Sequence, residues 1–124
     1  MKLKFLAPAV ALLSAALILP AASAQSAPDG AALYRQRCVS CHSVTAGARA
    51  VLAPNLAGVI GRGAATTAFN YSPALKGSRL VWTRANLDRF LTSPMRMVPG
   101  TRMVISVADA QQRTAILNYL ATTR

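Results

Sequence analysis

The run Cys38-Val39-Ser40-Cys41-His42 sets two thiols and an imidazole within five residues. On a helix, Cys38 and Cys41 are related by i,i+3 and Cys38 and His42 by i,i+4, so all three side chains share one face. That placement suits two thioether bonds to porphyrin vinyl groups with an imidazole nitrogen reaching the iron, and the C-x-x-C-H spacing reads as covalent haem attachment. A thioredoxin-like dithiol would need a βαβ pattern around the cysteines, and none is evident. A structural zinc site needs four ligands, whereas the chain has 2 Cys and 1 His. A plain disulfide would make no use of the adjacent histidine.

A second motif, Pro94-Met95-Arg96-Met97-Val98-Pro99-Gly100-Thr101-Arg102-Met103, offers a thioether for the other side of an iron. A low-spin electron-transfer haem wants two strong-field axial ligands and no open position, and His with Met gives a raised reduction potential. Pro94 and Pro99 each fix a φ angle and Gly100 permits a tight turn, so the loop is stiff. Local chemistry alone leaves Met95, Met97 and Met103 all open as the donor, since Met is also a common core filler.

The first 24 residues read as a signal peptide outside the fold: Lys2 and Lys4, an apolar run from Phe5 to Leu19, then Ala22-Ser23-Ala24 as a cleavage site. The competing reading is an uncleaved membrane anchor, because the uncharged stretch from Phe5 up to Asp29 is long enough to span a bilayer; Pro8, Pro20 and the Ala-x-Ala site favour cleavage. Export and C-x-x-C-H belong together, and the expected address is a bacterial periplasm, where two unmodified cysteines would tend towards a disulfide. Residues 25–124 then form one domain of about one hundred residues, small enough to need a cofactor as a staple. The formal net charge of +11 for the whole chain stays strongly positive once Lys2 and Lys4 are set aside. A basic exported chain suits anionic lipid or acidic protein faces; no nucleic-acid module is recognisable, so nucleic acid is not an expected partner.

Along residues 25–124 the signals are helical. Asp29 caps a helix predicted to reach about Ser40, and Ser72-Pro73 starts a short one ending at Gly77. Thr83 caps a helix over Arg84–Thr92 with Leu87, Phe90 and Leu91 facing inward, ended by Pro94. Asp109-Ala110-Gln111-Gln112 resembles a capping box before a last helix whose apolar stripe is Ile116, Leu117 and Leu120. Residues 43–70 read as loop, unusually long for a compact domain unless a flat apolar cofactor gives the chain something to wrap. No strands or repeats are evident, so the predicted class is all-α.

In order and spacing, C-V-S-C-H, P-N-L at 54–56, G-R at 61–62, Asn70-Tyr71, Trp82, P-G-T-R-M at 99–103 and Tyr119 resemble the class I cytochromes c of the small soluble mitochondrial and bacterial type. The resemblance spans residues 28–124. It implies the cytochrome c fold, with the N- and C-terminal helices crossing and short helices and loops wrapped round one covalent haem c on Cys38 and Cys41. It also implies His42 and Met103 as axial ligands. Pro54 would accept from the His42 Nδ1–H, while Arg62, Tyr71, Trp82 and Thr101 would hydrogen-bond the propionates. Gly30 and Tyr34 would pack on Ile116 and Tyr119 where the terminal helices cross. Two residues depart from the eukaryotic pattern: Phe90 stands in place of a Tyr and Leu75 in place of an Asn, which implies a drier distal side.

On that fold Arg35, Arg37, Arg49, Arg96 and Arg102 would ring the exposed haem edge and steer acidic faces of redox partners. The implied function is a monomeric periplasmic electron carrier, not an enzyme, with no stable membrane insertion after cleavage. Its partners would be a quinol-oxidising complex or dehydrogenase on one side and a terminal oxidase, reductase or photosynthetic reaction centre on the other. Two alternatives remain: a haem subunit docked to a periplasmic oxidoreductase, and, more remotely, an open-site haem enzyme or gas sensor.

Overall fold

A computed structural model describes residues 21–50 and 52–124. The signal-peptide reading falls almost wholly outside the described residues. Five helices follow in order: α1 Gly30–Arg37, α2 Pro73–Gly77, α3 Arg84–Thr92, α4 Pro94–Met97 and α5 Ala110–Leu120. No helix among the described residues is long and apolar enough to cross a membrane.

Each predicted helix starts at the residue that caps it. The Asp29 carboxylate accepts from the amides of Ala31 and Ala32, and Ser72 and Thr83 hydroxyls accept from Leu75 and Asn86. Asp109 accepts from the Gln112 amide. These bonds satisfy N–H groups that have no partner within the helix. Arg35 and Arg37 occupy the last turn of α1, where positive charge complements the helix dipole.

Two boundaries differ from expectation. Helix α1 stops at Arg37 instead of running to about Ser40, and Cys38–Cys41 form a separate turn. The amides of Cys38 and Val39 both bond to the Tyr34 carbonyl, so the ladder shifts register there. Helix α4 was not anticipated: Pro94 ends α3 and also occupies the first position of a new helix, where its missing N–H costs nothing.

Helices α1 and α5 cross in contact. A Cβ built on Gly30 would lie 2.0 Å from the Ala115 carbonyl oxygen and 3.0 Å from the Tyr119 Cβ. The glycine thus lies against Tyr119, as expected, and against the Ala115 backbone, which was not expected. Tyr34 stacks at a tilt on Tyr119, with ring centroids 5.3 Å apart. Ile116, Leu117 and Leu120 are buried in one cluster with Tyr34, Val59, Trp82, Leu87, Phe90, Leu91 and Val107.

The long loop is ordered by its own polar groups. Asn55 Nδ2 donates to the carbonyls of Thr45 (2.7 Å) and Ala48 (3.1 Å), and its Oδ1 accepts from the Ala57 amide (2.8 Å). Reciprocal bonds link Gly61 N–H to the Trp82 carbonyl and Trp82 N–H to the Arg62 carbonyl. An isolated antiparallel bridge, Gly63 with Val81, is the extended pairing found among the described residues. The class is all-α, as read from sequence.

Candidate haem site

The Cys38–His42 turn projects its side chains because its backbone is self-contained. The Cys38 carbonyl accepts from both the Cys41 amide (3.1 Å) and the His42 amide (2.9 Å). The predicted proximity of Cys38, Cys41 and His42 thus survives the early end of α1. From the other side, the Tyr34 hydroxyl donates to the His42 carbonyl at 2.9 Å, which ties this turn to the helix crossing.

His42 is half-buried, and its Nδ1 lies 2.7 Å from the Pro54 carbonyl oxygen. A carbonyl only accepts, so Nδ1 carries the proton and Nε2 keeps its lone pair. Burial lowers the imidazole pKa and the bond to Pro54 opposes that shift; the ring is neutral at neutral pH. Burial also raises the Cys38 thiol pKa, against the opposing charge of Arg37. Cys38 is partly buried, whereas Cys41 is exposed. Both are unbridged.

Of the three methionines, Met95 is 55% exposed on α4, while Met97 and Met103 pack against the buried cluster. Met97 is held within α4, whereas Met103 lies on irregular chain after the Pro99-Gly100 turn. Gly100 has φ +91°, the left-handed region that favours glycine, and sits 3.1 Å (from an ideal Cβ) above the Ala74 side chain of α2. Thr101 is buried; its amide bonds to the Val98 carbonyl and its hydroxyl lies 3.5 Å from the Met103 amide.

The remaining predicted residues lie as follows. Arg62 Nη1 and Nη2 donate to the carbonyls of Ala57 (2.8 Å) and Asn55 (2.9 Å), so the guanidinium braces the loop that carries Pro54. The Tyr71 hydroxyl pairs with Thr67. Trp82 is buried with its ring 4.9 Å from Phe90, and Leu75 is buried on α2, so apolar groups occupy both positions of departure. Arg35, Arg37, Arg49, Arg96 and Arg102 are exposed. Arg102 also donates to the Asn70 carbonyl at 2.7 Å. Among the described residues the ion pair found is Arg113–Asp88, so those five arginines have no acidic partner.

Three residues that matter escaped the sequence reading. Asn55 entered only as the middle of P-N-L at 54–56, with no role of its own, and Thr67 had no signal, since loop threonines are common. Arg113 had one: it falls at i−3 and i−4 from Ile116 and Leu117, which places a charge on the buried stripe of α5.

Among the described residues no cluster of three or more His, Cys, Asp or Glu groups forms a metal site. Two unbridged thiols one turn apart, an imidazole with Nε2 free and a thioether on a braced loop instead fit an iron porphyrin. An all-α fold built round that donor set defines a c-type haem protein. The chain belongs to the cytochrome c family, class I. The family model described as Cytochrome c matches residues 27–124. Cytochrome c2 of Rhodomicrobium vannielii is 38% identical over 118 residues, which are 91% of this chain and 93% of that protein. Cytochrome c 2.1 of Caenorhabditis briggsae is 41% identical over 93 residues, 73% of this chain and 82% of its own length. Among solved structures, cytochrome cH from Methylobacterium extorquens aligns with a TM-score of 0.70 at 33% identity, over 76% of this chain and 95% of that one.

The cofactor is a single covalent haem c, and Cys38 and Cys41 fit its attachment motif. The protein is an electron carrier that works with redox partners, and it is not an enzyme.

Proposed function

We propose that this protein is a monomeric periplasmic carrier moving one electron at a time between respiratory or photosynthetic complexes. Residues 1–24 act as its export signal, and Cys38 and Cys41 hold the haem through thioethers. His42 Nε2 and the Met103 sulfur would hold the iron, and the bound group would supply a one-electron ferric–ferrous couple. The observation that carries the His42 assignment is the bond from its Nδ1 to Pro54, 2.7 Å long, which leaves the other ring nitrogen with its lone pair as a donor.

The chain's own residues do the rest. Asn55 and Arg62 brace the Pro54 segment through loop carbonyls, so the imidazole keeps its orientation in both oxidation states. Arg62, Tyr71, Trp82 and Thr101 would offer the propionates N–H and O–H groups beyond those already engaged in the loop, offsetting the cost of burying carboxylates. Iron held from both His42 and Met103 would offer substrate no open position, which suits a carrier.

Arg35, Arg37, Arg49, Arg96 and Arg102 form the docking surface for acidic faces of a quinol-oxidising complex, dehydrogenase, terminal oxidase or reaction centre. Unpaired exposed cations raise encounter rates and lose that effect as salt screens them. The test is oxidation of the ferrous protein by isolated membranes across a salt series. Arg37→Glu is expected to slow the reaction sharply at low salt and little at high salt; an unchanged rate at low salt would remove Arg37 from the docking surface. In the ferric spectrum, a sulfur-to-iron charge-transfer band that Met103→Ala abolishes is the expected sign of Met103 ligation.

A further inference from the structure

The segment that follows Met103 has almost nothing of its own to hold it. From Arg102 to Ser106 no backbone–backbone hydrogen bond forms among the described residues, and Val104 and Ile105 are 68% and 52% exposed. Upstream, the loop is fastened by the Thr101 amide to Val98 and by Arg102 to the Asn70 carbonyl. Downstream, it is fastened at Val107 and Ala108. The Val107 amide donates to the Leu91 carbonyl at 2.8 Å, and its side chain is buried. Arg113 Nη1 reaches the carbonyls of Val107 (3.0 Å) and Ala108 (2.7 Å), while its Nε bonds Asp88 Oδ1 at 2.8 Å.

We propose that Arg113 is a positioning residue for Met103: it clamps the downstream end of the loop to α3 and α5 and so sets how readily the thioether leaves the iron. The inference rests on the reading of Met103 as a ligand. Arg113 is 9% exposed, and a guanidinium fork suits this place because one nitrogen spans two carbonyls while another meets the carboxylate. A lysine there has one ammonium and cannot reproduce the fork. Loss of the clamp frees the Ala108 carbonyl and leaves Val107 held only by its bond to Leu91 and its buried side chain, so the Val104–Ser106 chain moves outward more readily.

The test is the rate at which added imidazole displaces the thioether in the ferric holoprotein, followed by loss of the sulfur-to-iron band. Arg113→Lys is expected to speed displacement about tenfold, the factor that follows from weakening one charge-assisted tether. Amides of 104–106 should exchange faster in the same variant. Asp88→Asn leaves both carbonyl contacts in place, so it should lower global stability in guanidinium while speeding displacement much less. An unchanged imidazole rate in Arg113→Lys overturns the proposal, as does equal acceleration by the two variants at matched loss of global stability. If Arg113→Lys yields no holoprotein, the wild type serves. Its Arg113 side-chain N–H groups should exchange slowly and lose that protection when imidazole saturates the iron; protection that persists overturns the proposal. A wild-type ferric spectrum without the sulfur-to-iron band sinks the ligation reading itself, and the proposal with it.

Discussion

A side chain on Gly30 would collide with the carbonyl oxygen of Ala115, which lies 2.0 Å from where its Cβ would be. The obstacle is helix backbone, so no rotamer change relieves it. Gly30→Ala must push α1 off α5 and is expected to cost about 3 kcal/mol or more, at or beyond the usual range for overpacking. Guanidinium unfolding of the holoprotein measures it.

Asn55 makes three hydrogen bonds within the loop beside Pro54. Asn55→Ala is expected to cost about 2 kcal/mol, because two carbonyls and an amide lose their partners together. Backbone hydrogen exchange should then rise locally, over residues 45–57, before global unfolding does.

Tyr34 ties the helix crossing to the His42 turn, and burial raises its pKa from 10.0 to about 12. The unfolded chain ionises first, so the contribution of Tyr34 is whole below pH 10.0 and drains away as pH rises towards about 12. Tyr34→Phe should lose about 1 kcal/mol at neutral pH with the bond to the His42 carbonyl. Its stability should then fall less steeply than that of the wild type on the alkaline side, in urea unfolding across a pH series.

Phe90 is buried against Trp82, and Leu75 adds another apolar side chain to the same cluster. Phe90→Tyr brings a hydroxyl into this dry region, where it must find a partner or bear a desolvation cost. A hydroxyl that reaches the Met103 sulfur should shift the reduction potential and the pH of thioether displacement. Electrochemistry with a pH titration of the charge-transfer band reads both; no movement in either refutes the dry distal side.

Replacing both Cys38 and Cys41 by Ser removes the covalent link. The buried cluster is small for an independent domain, so the haem-free chain should lose most of its helical circular dichroism. A cooperative thermal transition in that chain would show that the core folds without its cofactor.

Caps, turns and motif were legible because they are local. Asp29, Ser72, Thr83 and Asp109 each bond an amide two or three residues away, and C-x-x-C-H declares its chemistry within five positions. The end of α1 is hidden in the sequence because no Gly or Pro breaks the run from Arg37 to Ser40, whereas the Tyr34 carbonyl accepts a second amide and turns the chain. Helix α4 was missed because Pro94 reads as a stop, and only the following turn reveals it as a start.

The sequence by itself determined the helical class, the haem attachment turn and the three methionines from which a ligand is drawn, since these rest on residue type and short spacing. Only the tertiary structure decided that Gly30 meets the backbone of Ala115 and that Arg113 reaches Asp88 across 25 residues to grip the loop after Met103. Such contacts depend on where distant backbone groups come to lie. A backbone carbonyl is the same in every residue, and so leaves no mark in the sequence.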